Sequence, residues 1–289
     1  MSISGKTKLC CVIGDPVEHT LSPTIQNAAF KHLKLDFIFL AFKVKPQELE
    51  NAIQGIRVLG IHGINVTMPH KKAVTKLLDE LDPTAKFVSS VNTILNRNGR
   101  LCGFNTDGIG ALNALKENGV NLSGKKVLLL GAGSAAKAIA LALAKEVEKL
   151  FILNRTHEKA IELKESLNRF SGRKVTSDII SHEAIQRYLQ KSDILVNATS
   201  AGMHPNVNQD LVVPDWLRPD LTVMDIIYSP LETKLAKEAK AAGARVISGV
   251  EMLIYQGAAS FEIWTGHKAP LEVMRQAALS RLAGSGESK

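Results

Sequence analysis

A short apolar run that empties into closely spaced glycines constrains this chain more than any other stretch. Residues 127–130 read as a strand buried on both faces, leading into Gly131-x-Gly133-x-x-Ala136 and then into an Ala/Leu-rich helix former over 139–144. In a strand–turn–helix context this spacing is a dinucleotide-binding fingerprint. The first glycine permits the tight turn, the second lets the backbone approach a pyrophosphate, and the small third residue lets the helix pack close to the strand. The N–H groups and dipole at the helix start then favour phosphate. Gly131, Ala132, Gly133, Ser134 and Ala135 form the expected turn. Ser134 stands where a third glycine is common, and a serine there can donate to phosphate or cap the helix.

The next strand, 150–153, bears on which nucleotide is held. It ends in Asn154-Arg155-Thr156, with Lys159 one turn further on. An NAD-type site places an acidic residue near here to bind the ribose 2′-hydroxyl. This chain offers a guanidinium, a hydroxyl and an amide, a set that suits a 2′-phosphate because Arg grips phosphate through parallel N–H bonds. The same residues also read as a helix N-cap, Asn154 or Thr156, beside a solvated Arg, and cap and phosphate contact can coexist. NADP is the expected cofactor.

With 289 residues the chain is long for one core and comfortable for two. Apolar residues make up 45% and charged residues 22%, the balance of an ordinary globular protein. The formal net charge of +8 raises nucleic acid as a partner, but Lys and Arg are interleaved with Glu and Asp, as on a solvated surface. Of the three cysteines, Cys10 and Cys11 are adjacent in an apolar strand, a poor geometry for a structural disulfide. They read as reduced, buried thiols. No apolar run has membrane-spanning length and the first residues lack a signal-peptide pattern, so a cytoplasmic protein is expected, with no membrane partner and no metal.

Residues 9–13 form a first strand, followed by a loop carrying Thr20, Ser22 and Pro23. Ser22 reads as the cap of the next helix, with Pro23 at its first position. A helix, a strand at 37–42 and a second helix from Pro46 to about Leu59 come next. A short strand then ends at Asn65-Val66-Thr67, and Pro69 is expected to start a helix with His70 and Lys71 in its first turn. A lysine there faces the unfavourable end of the helix dipole, either solvated or pressed beside a ligand pocket. His70 is the rival acid–base candidate, pointing about 100° away. Residues 91–95 and 100–104 form a hairpin around Asn98-Gly99, and Asn105-Thr106-Asp107 reads as an N-cap before a helix.

Together these blocks resemble the signature stretches of shikimate dehydrogenases. They comprise Asp15-Pro16, Thr20-x-Ser22-Pro23, Asn65-Val66-Thr67-x-Pro69-x-Lys71, Val91-Asn92-Thr93 and Gly103-x-Asn105-Thr106-Asp107-x-x-Gly110. The glycine turn and Asn154-Arg155-Thr156 continue the series. So do Asn197-Ala-Thr199-Ser-Ala-Gly-Met203, Asp225-Ile-Ile-Tyr228-x-Pro230-x-x-Thr233 and Gly249-x-x-Met252-Leu253-x-x-Gln256. The resemblance spans almost the whole chain in order.

It implies an α/β fold of two domains, a Rossmann-like doubly wound NADP domain (107–249) inserted into a discontinuous substrate-binding domain (1–106 and 250–289). The active site would be a cleft between them. It implies reversible hydride transfer between NADPH and 3-dehydroshikimate, giving shikimate, with Lys71 and Asp107 as the catalytic pair. Substrate contacts would be Thr20, Ser22, Asn65, Thr67, Asn92, Tyr228 and Gln256. Thr199, Ile226, Gly249 and Met252 would join the glycine turn, Asn154, Arg155, Thr156 and Lys159 around the cofactor. The family usually has Ser where this chain has Thr20, so a methyl is added near the substrate, which bears on the choice between shikimate and quinate. Rival readings are a dual quinate/shikimate dehydrogenase and a non-catalytic sensor of nucleotide or acid. Either a monomer or a homodimer is compatible.

The final stretch gives Met252, Tyr255, Ala259 and Ile263 at helical spacing, with Gln256 expected as a buried polar residue on that helix.

Overall fold

The computed structural model describes residues 3–172 and 175–284. The chain divides into two compact units, Met1–Asp107 with Ile254–Lys289, and Gly108–Leu253.

The first unit is built on a mixed six-stranded sheet. Its strands are β1 (Lys8–Gly14), β2 (Phe37–Lys43), β3 (Gly63–Val66), β4 (Glu80–Leu81), β5 (Thr93–Arg97) and β6 (Arg100–Phe104), in the order β2-β1-β3-β5-β6-β4. β1 runs parallel to both β2 and β3, whereas β3, β5 and β6 alternate antiparallel. The β5–β6 turn has Asn98 and Gly99 at φ of 55° and 91°, the pair of positive values that a two-residue hairpin turn requires. Cys10 and Cys11 fall on opposite faces of the interior strand β1, and both are fully buried free thiols.

Helix α1 (Ser22–His32) brings Phe30 into stacking contact with Phe37 and with Phe261. Behind the other face, α2 (Leu49–Val58) inserts Ile53 and Ile56 among Ile13, Ile64, Ile94 and Leu101. α2 is preceded by a 3-10 turn, Pro46–Glu48, so the expected helix from Pro46 begins tighter than an α-helix. A short helix α3 (Pro83–Val88) is capped by the Asp82 carboxylate, which accepts from the Ala85 and Thr84 N–H groups.

Two local expectations fail here. Ser22 does not cap α1. Leu21 occupies the cap position, and the Ser22 hydroxyl instead accepts from Thr20 Oγ1 at 3.2 Å. Nor does Pro69 start a helix. Residues 68–72 form turns, followed by a 3-10 helix at Ala73–Leu77. The reason is a long-range bond: the Lys71 carbonyl accepts from the Val91 N–H at 2.8 Å, which ties this segment to the strand region beside it. The helix-dipole argument for Lys71 falls with that helix.

α4 (Asp107–Glu117) leads into the second unit. Its sheet is wholly parallel: β7 (Lys126–Leu130), β8 (Lys149–Asn154), β9 (Val175–Ile179), β10 (Ile194–Asn197), β11 (Thr222–Asp225) and β12 (Arg245–Ile247), in the order β12-β11-β10-β7-β8-β9. Two three-stranded halves meet where β7 lies beside β10, the doubly wound arrangement that opens a crevice at the strand carboxyl ends. Helices α5 (Ser134–Leu143), α6 (His157–Ser171), α7 (His182–Leu189) and α8 (Lys234–Ala241) flank it. Leu128, Leu130, Leu195 and Val223, buried on the sheet, pack with Ile185 and Leu189 of α7. α9 (Gly249–Thr265) and α10 (Leu271–Gly284) complete the fold.

Candidate active site

In the first unit, the Lys71 Nζ lies 2.7 Å from Asp107 Oδ2. Three local structures meet to make this contact. The turn after β3 carries Lys71, the approach to β5 carries Asn92, and the exit from β6 carries Asn105, Thr106 and Asp107. Asp107 is the first residue of α4, where its charge meets the positive end of the helix dipole, and its N–H donates to Asn105 Oδ1 at 3.1 Å. Its side chain is 6% exposed and that of Lys71 25%. The inner group is thus a desolvated carboxylate and the outer one an ammonium that still reaches solvent. One of the three Lys71 donors goes to Asp107.

The remaining Asp107 oxygen accepts from Asn92 Nδ2 at 2.7 Å, while Asn92 Oδ1 accepts from the Thr106 N–H at 2.9 Å. That second bond fixes which end of the amide faces the carboxylate. Asn65 Nδ2 donates to the Asn92 carbonyl at 3.1 Å and to Ser260 Oγ at 3.2 Å. Thr93 Oγ1 lies 2.7 Å from the same Ser260 oxygen. Every buried polar group named here has a partner, which keeps the desolvation cost of the carboxylate in check.

The structure therefore gathers Lys71, Asp107, Asn92 and Asn65 into one network, and Gln256 reaches it through Asn92 Nδ2 at 3.4 Å. Gln256 is half-buried rather than buried, because α9 turns its Ile254, Phe261 and Ser260 positions fully inward instead. Thr20 and Ser22 are bonded to one another. Thr67 is half-buried, and the atoms of its methyl side crowd Gly14, where an added Cβ would meet Thr67 Cγ2 at 2.3 Å. His70 belongs elsewhere: it is buried, with Nε2 2.7 Å from the Val44 carbonyl. Thr93, Thr106 and Ser260 were not among the expected site residues. Ser260 sits one helical turn after Gln256, a spacing that signals a shared face.

In the second unit, Gly131 has φ of +113°, and a Cβ there would approach the Ala198 carbonyl oxygen to 2.7 Å. Only glycine fits that turn without strain. Gly133 caps α5 from an extended conformation, no side chain caps the helix, and no acidic residue lies in its first turn. A Cβ on Gly133 would have nothing within 4 Å. The start of α5 thus presents N–H groups that no side chain caps beside open space, the arrangement a phosphate needs. Ser134 and Ala135 begin the helix, and Ala136 is fully buried under it. Asn154 Oδ1 accepts from the Ala132 N–H at 3.1 Å, and its Nδ2 donates to the Thr156 carbonyl at 2.8 Å, so this amide braces the turn. Thr156 holds the cap position of α6 without a side-chain bond. Arg155 and Thr156 are exposed just past the end of β8, and Lys159 is exposed in the first turn of α6.

Further along the same strand ends, the Thr199 hydroxyl donates to Asn197 Oδ1 at 2.7 Å. Ile226 and Tyr228 are half-buried, and burial raises the Tyr228 phenol above its usual pKa. Gly249 packs against the Ile226–Ile227 backbone so tightly that a Cβ would lie 2.4 Å from the Ile227 carbonyl oxygen, a packing reason for glycine there. Met252 is buried in α9. Among the described residues no cluster of three or more His, Cys, Asp or Glu stands ready for a metal. No described helix is long and apolar enough to cross a membrane.

A doubly wound dinucleotide-binding unit joined to an α/β unit in which a half-buried lysine meets a buried aspartate defines a class, the two-domain α/β oxidoreductases. Comparison with known families narrows it. The shikimate dehydrogenase substrate binding domain matches residues 12–94, shikimate/quinate 5-dehydrogenase matches 113–226, and the shikimate 5′-dehydrogenase C-terminal domain matches 249–279. The shikimate dehydrogenase (NADP(+)) of Methanopyrus kandleri is 47% identical over 285 residues, covering 98% of each chain. The Thermus thermophilus shikimate 5-dehydrogenase solved with NADP(H) and shikimate is 34% identical, with a TM-score of 0.84 over 94% of this chain and 99% of that one. The quinate dehydrogenase of Corynebacterium glutamicum, solved with NAD, is 29% identical, with a TM-score of 0.87 over 95% and 99%. The chain belongs to the shikimate dehydrogenase family.

Proposed function

We propose that this protein is an NADP-dependent oxidoreductase that reversibly reduces 3-dehydroshikimate to shikimate, in the route to chorismate and the aromatic amino acids. The observation that carries this reading is the Lys71–Asp107 pair, held by Asn92 in the unit that matches the family's substrate-binding domain.

NADPH, when bound, supplies the hydride to the ketone carbon. Gly131, Ala132, Gly133, Ser134 and Ala135 would cradle its pyrophosphate, and Arg155, Thr156 and Lys159 its 2′-phosphate. Asn154 would shape the turn between them, with Thr199, Ile226, Gly249 and Met252 bordering the rest. As the carbonyl oxygen gains charge, the Lys71 ammonium stabilises it and delivers the proton that makes the hydroxyl. Asp107 holds Lys71 in place and compensates its charge, and Asn92 fixes the rotation of Asp107. Thr20, Ser22, Asn65, Thr67, Asn92, Tyr228 and Gln256 supply the neutral donors and acceptors that a polyhydroxylated ring carboxylate calls for. We read the two-domain division as 1–106 with 250–289 for substrate and 107–249 for cofactor. The working picture is a cytoplasmic enzyme, monomeric or a homodimer, with small-molecule partners and no nucleic acid.

The test is turnover of shikimate and of quinate, each with NADP and with NAD. Reduction of NADP by shikimate supports the reading, and silence in all four combinations overturns it. Thr20 favours one second reading, a dual quinate/shikimate dehydrogenase, because its methyl alters the space beside the ring. Comparable turnover of quinate would select it.

A further inference from the structure

Asp225 ends β11, is 1% exposed, and lies where two loops leave the carboxyl edge of the parallel sheet. Its Oδ1 accepts from the Ile227 N–H at 3.2 Å and from Asn197 Nδ2 at 3.1 Å. Its Oδ2 accepts from the Thr233 hydroxyl at 2.6 Å, and Thr233 in turn caps α8 by accepting from the Ala236 N–H. One carboxylate therefore grips both ends of the 226–233 loop. Through Asn197 it also governs the neighbouring loop. Because the Asn197 Nδ2 faces Asp225, its Oδ1 is left to accept from the Thr199 N–H at 3.1 Å and the Thr199 hydroxyl at 2.7 Å. The Thr199 hydroxyl proton is thereby turned inward, and its oxygen receives the Ala201 N–H at 3.2 Å.

We propose that Asp225 is a positioning residue for the oxidoreductase reaction, setting the placement of Thr199, Ile226 and Tyr228 from a single buried carboxylate. This rests on the functional reading above. No step of the chemistry uses Asp225, and burial pushes its pKa up while the three hydrogen bonds to it act the other way, so a solvation cost is met by donors from the surrounding backbone and side chains. The three donors aimed at it, two of them from loops bearing expected ligand contacts, are what that cost secures. A neutral amide cannot replace it. In Asp225→Asn an N–H₂ donor meets either the Thr233 hydroxyl, whose proton then loses the carboxylate oxygen it was given to, or the donors on the other side.

The experiment uses the full chain with Asp225→Asn, Thr233→Val and Thr233→Ser. Hydrogen–deuterium exchange is read together with kcat and KM for shikimate and the dissociation constant of NADP. Asp225→Asn is expected to speed exchange in 199–202 and 226–233 with β7 and β8 unchanged, and to lower kcat/KM by at least about tenfold. Thr233→Val should loosen 226–233 alone, and Thr233→Ser should stay within about threefold of the parent. Faster exchange throughout the sheet with unchanged kinetics overturns the proposal, as does a Thr233→Ser protein as impaired as Thr233→Val. If the parent chain itself does not turn over shikimate, the functional reading fails. The positioning role is then decided by exchange and NADP binding: local loosening with at least about tenfold weaker binding upholds it, and unchanged binding overturns it.

Discussion

Asp107 is held from two sides at equal distance, by Lys71 Nζ at 2.7 Å on one carboxylate oxygen and by Asn92 Nδ2 at 2.7 Å on the other. The carboxylate cannot rotate without breaking one of these bonds. The ammonium is therefore aimed by a rigid partner on its inner side while its remaining donors stay available.

Replacing Lys71 by Ala removes the proposed proton donor without touching the residues proposed to bind the ring. The expected loss in kcat is about 10²–10⁴-fold, with a much smaller change in the KM for shikimate. Steady-state assays following NADPH absorbance check this. Turnover near that of the parent protein would take Lys71 out of the mechanism.

Asn92→Ala leaves an Asp107 oxygen and the buried Thr106 N–H without their partner. The expected destabilisation is about 1–3 kcal/mol by urea unfolding, accompanied by slower turnover. A variant as stable as the parent would mean that water enters and replaces the amide.

Cofactor choice and turn geometry separate cleanly in two substitutions. Arg155→Ala should weaken NADP by roughly 10–100-fold and leave NAD almost unchanged, since the contact proposed for it is a charge-assisted bond to phosphate. Gly133→Ala meets no neighbour within 4 Å, so it should cost no more than about 1 kcal/mol of stability while impairing binding of either nucleotide. Calorimetric titration with both nucleotides distinguishes them. Equal losses for NAD and NADP in Arg155→Ala would count against a 2′-phosphate contact.

His62 gives a pH signature to the first unit. Its Nε2 lies 2.8 Å from the Trp264 carbonyl, and burial lowers its pKa from the ordinary 6.5. The unfolded chain then takes up the proton more readily than the folded one. The stability contribution is complete above pH 6.5 and is lost as pH falls through the lowered folded value. Urea midpoints measured downward from about pH 7 should fall, and His62→Gln should flatten that slope. An unchanged slope in the variant would assign the acid sensitivity to other groups.

The glycine turn and the hairpin were legible because each rests on local backbone demands. Gly131 needs a positive φ, Asn98-Gly99 form a two-residue turn, and the 127–130 run is short and wholly apolar. Elements decided by distant partners were not legible. Residues 69–71 looked like a helix start until the Lys71 carbonyl was seen bonded to Val91, and Ser22 looked like a cap until its hydroxyl was found paired with Thr20. Ser260 is a further case, meeting Asn65 across a separation of 195 residues. Helical spacing puts Ser260 on the face of Gln256, but nothing local pairs it with Asn65, so the bonding of the network behind the Lys71–Asp107 pair emerges only from the fold.

The adjacent thiols on β1 have a practical consequence. This interior strand sends Cys10 and Cys11 to opposite faces, burial lifts both pKa values, that of Cys11 to about 12, and neither side chain reaches solvent. An alkylating reagent can meet each of them only after the packing over that face of the sheet has opened, so the labelling rate is a clock for opening of the first unit. Each sulfur reports on its own side of the sheet. A substrate analogue that slows both rates together would reveal how far its binding free energy spreads through the unit that holds it.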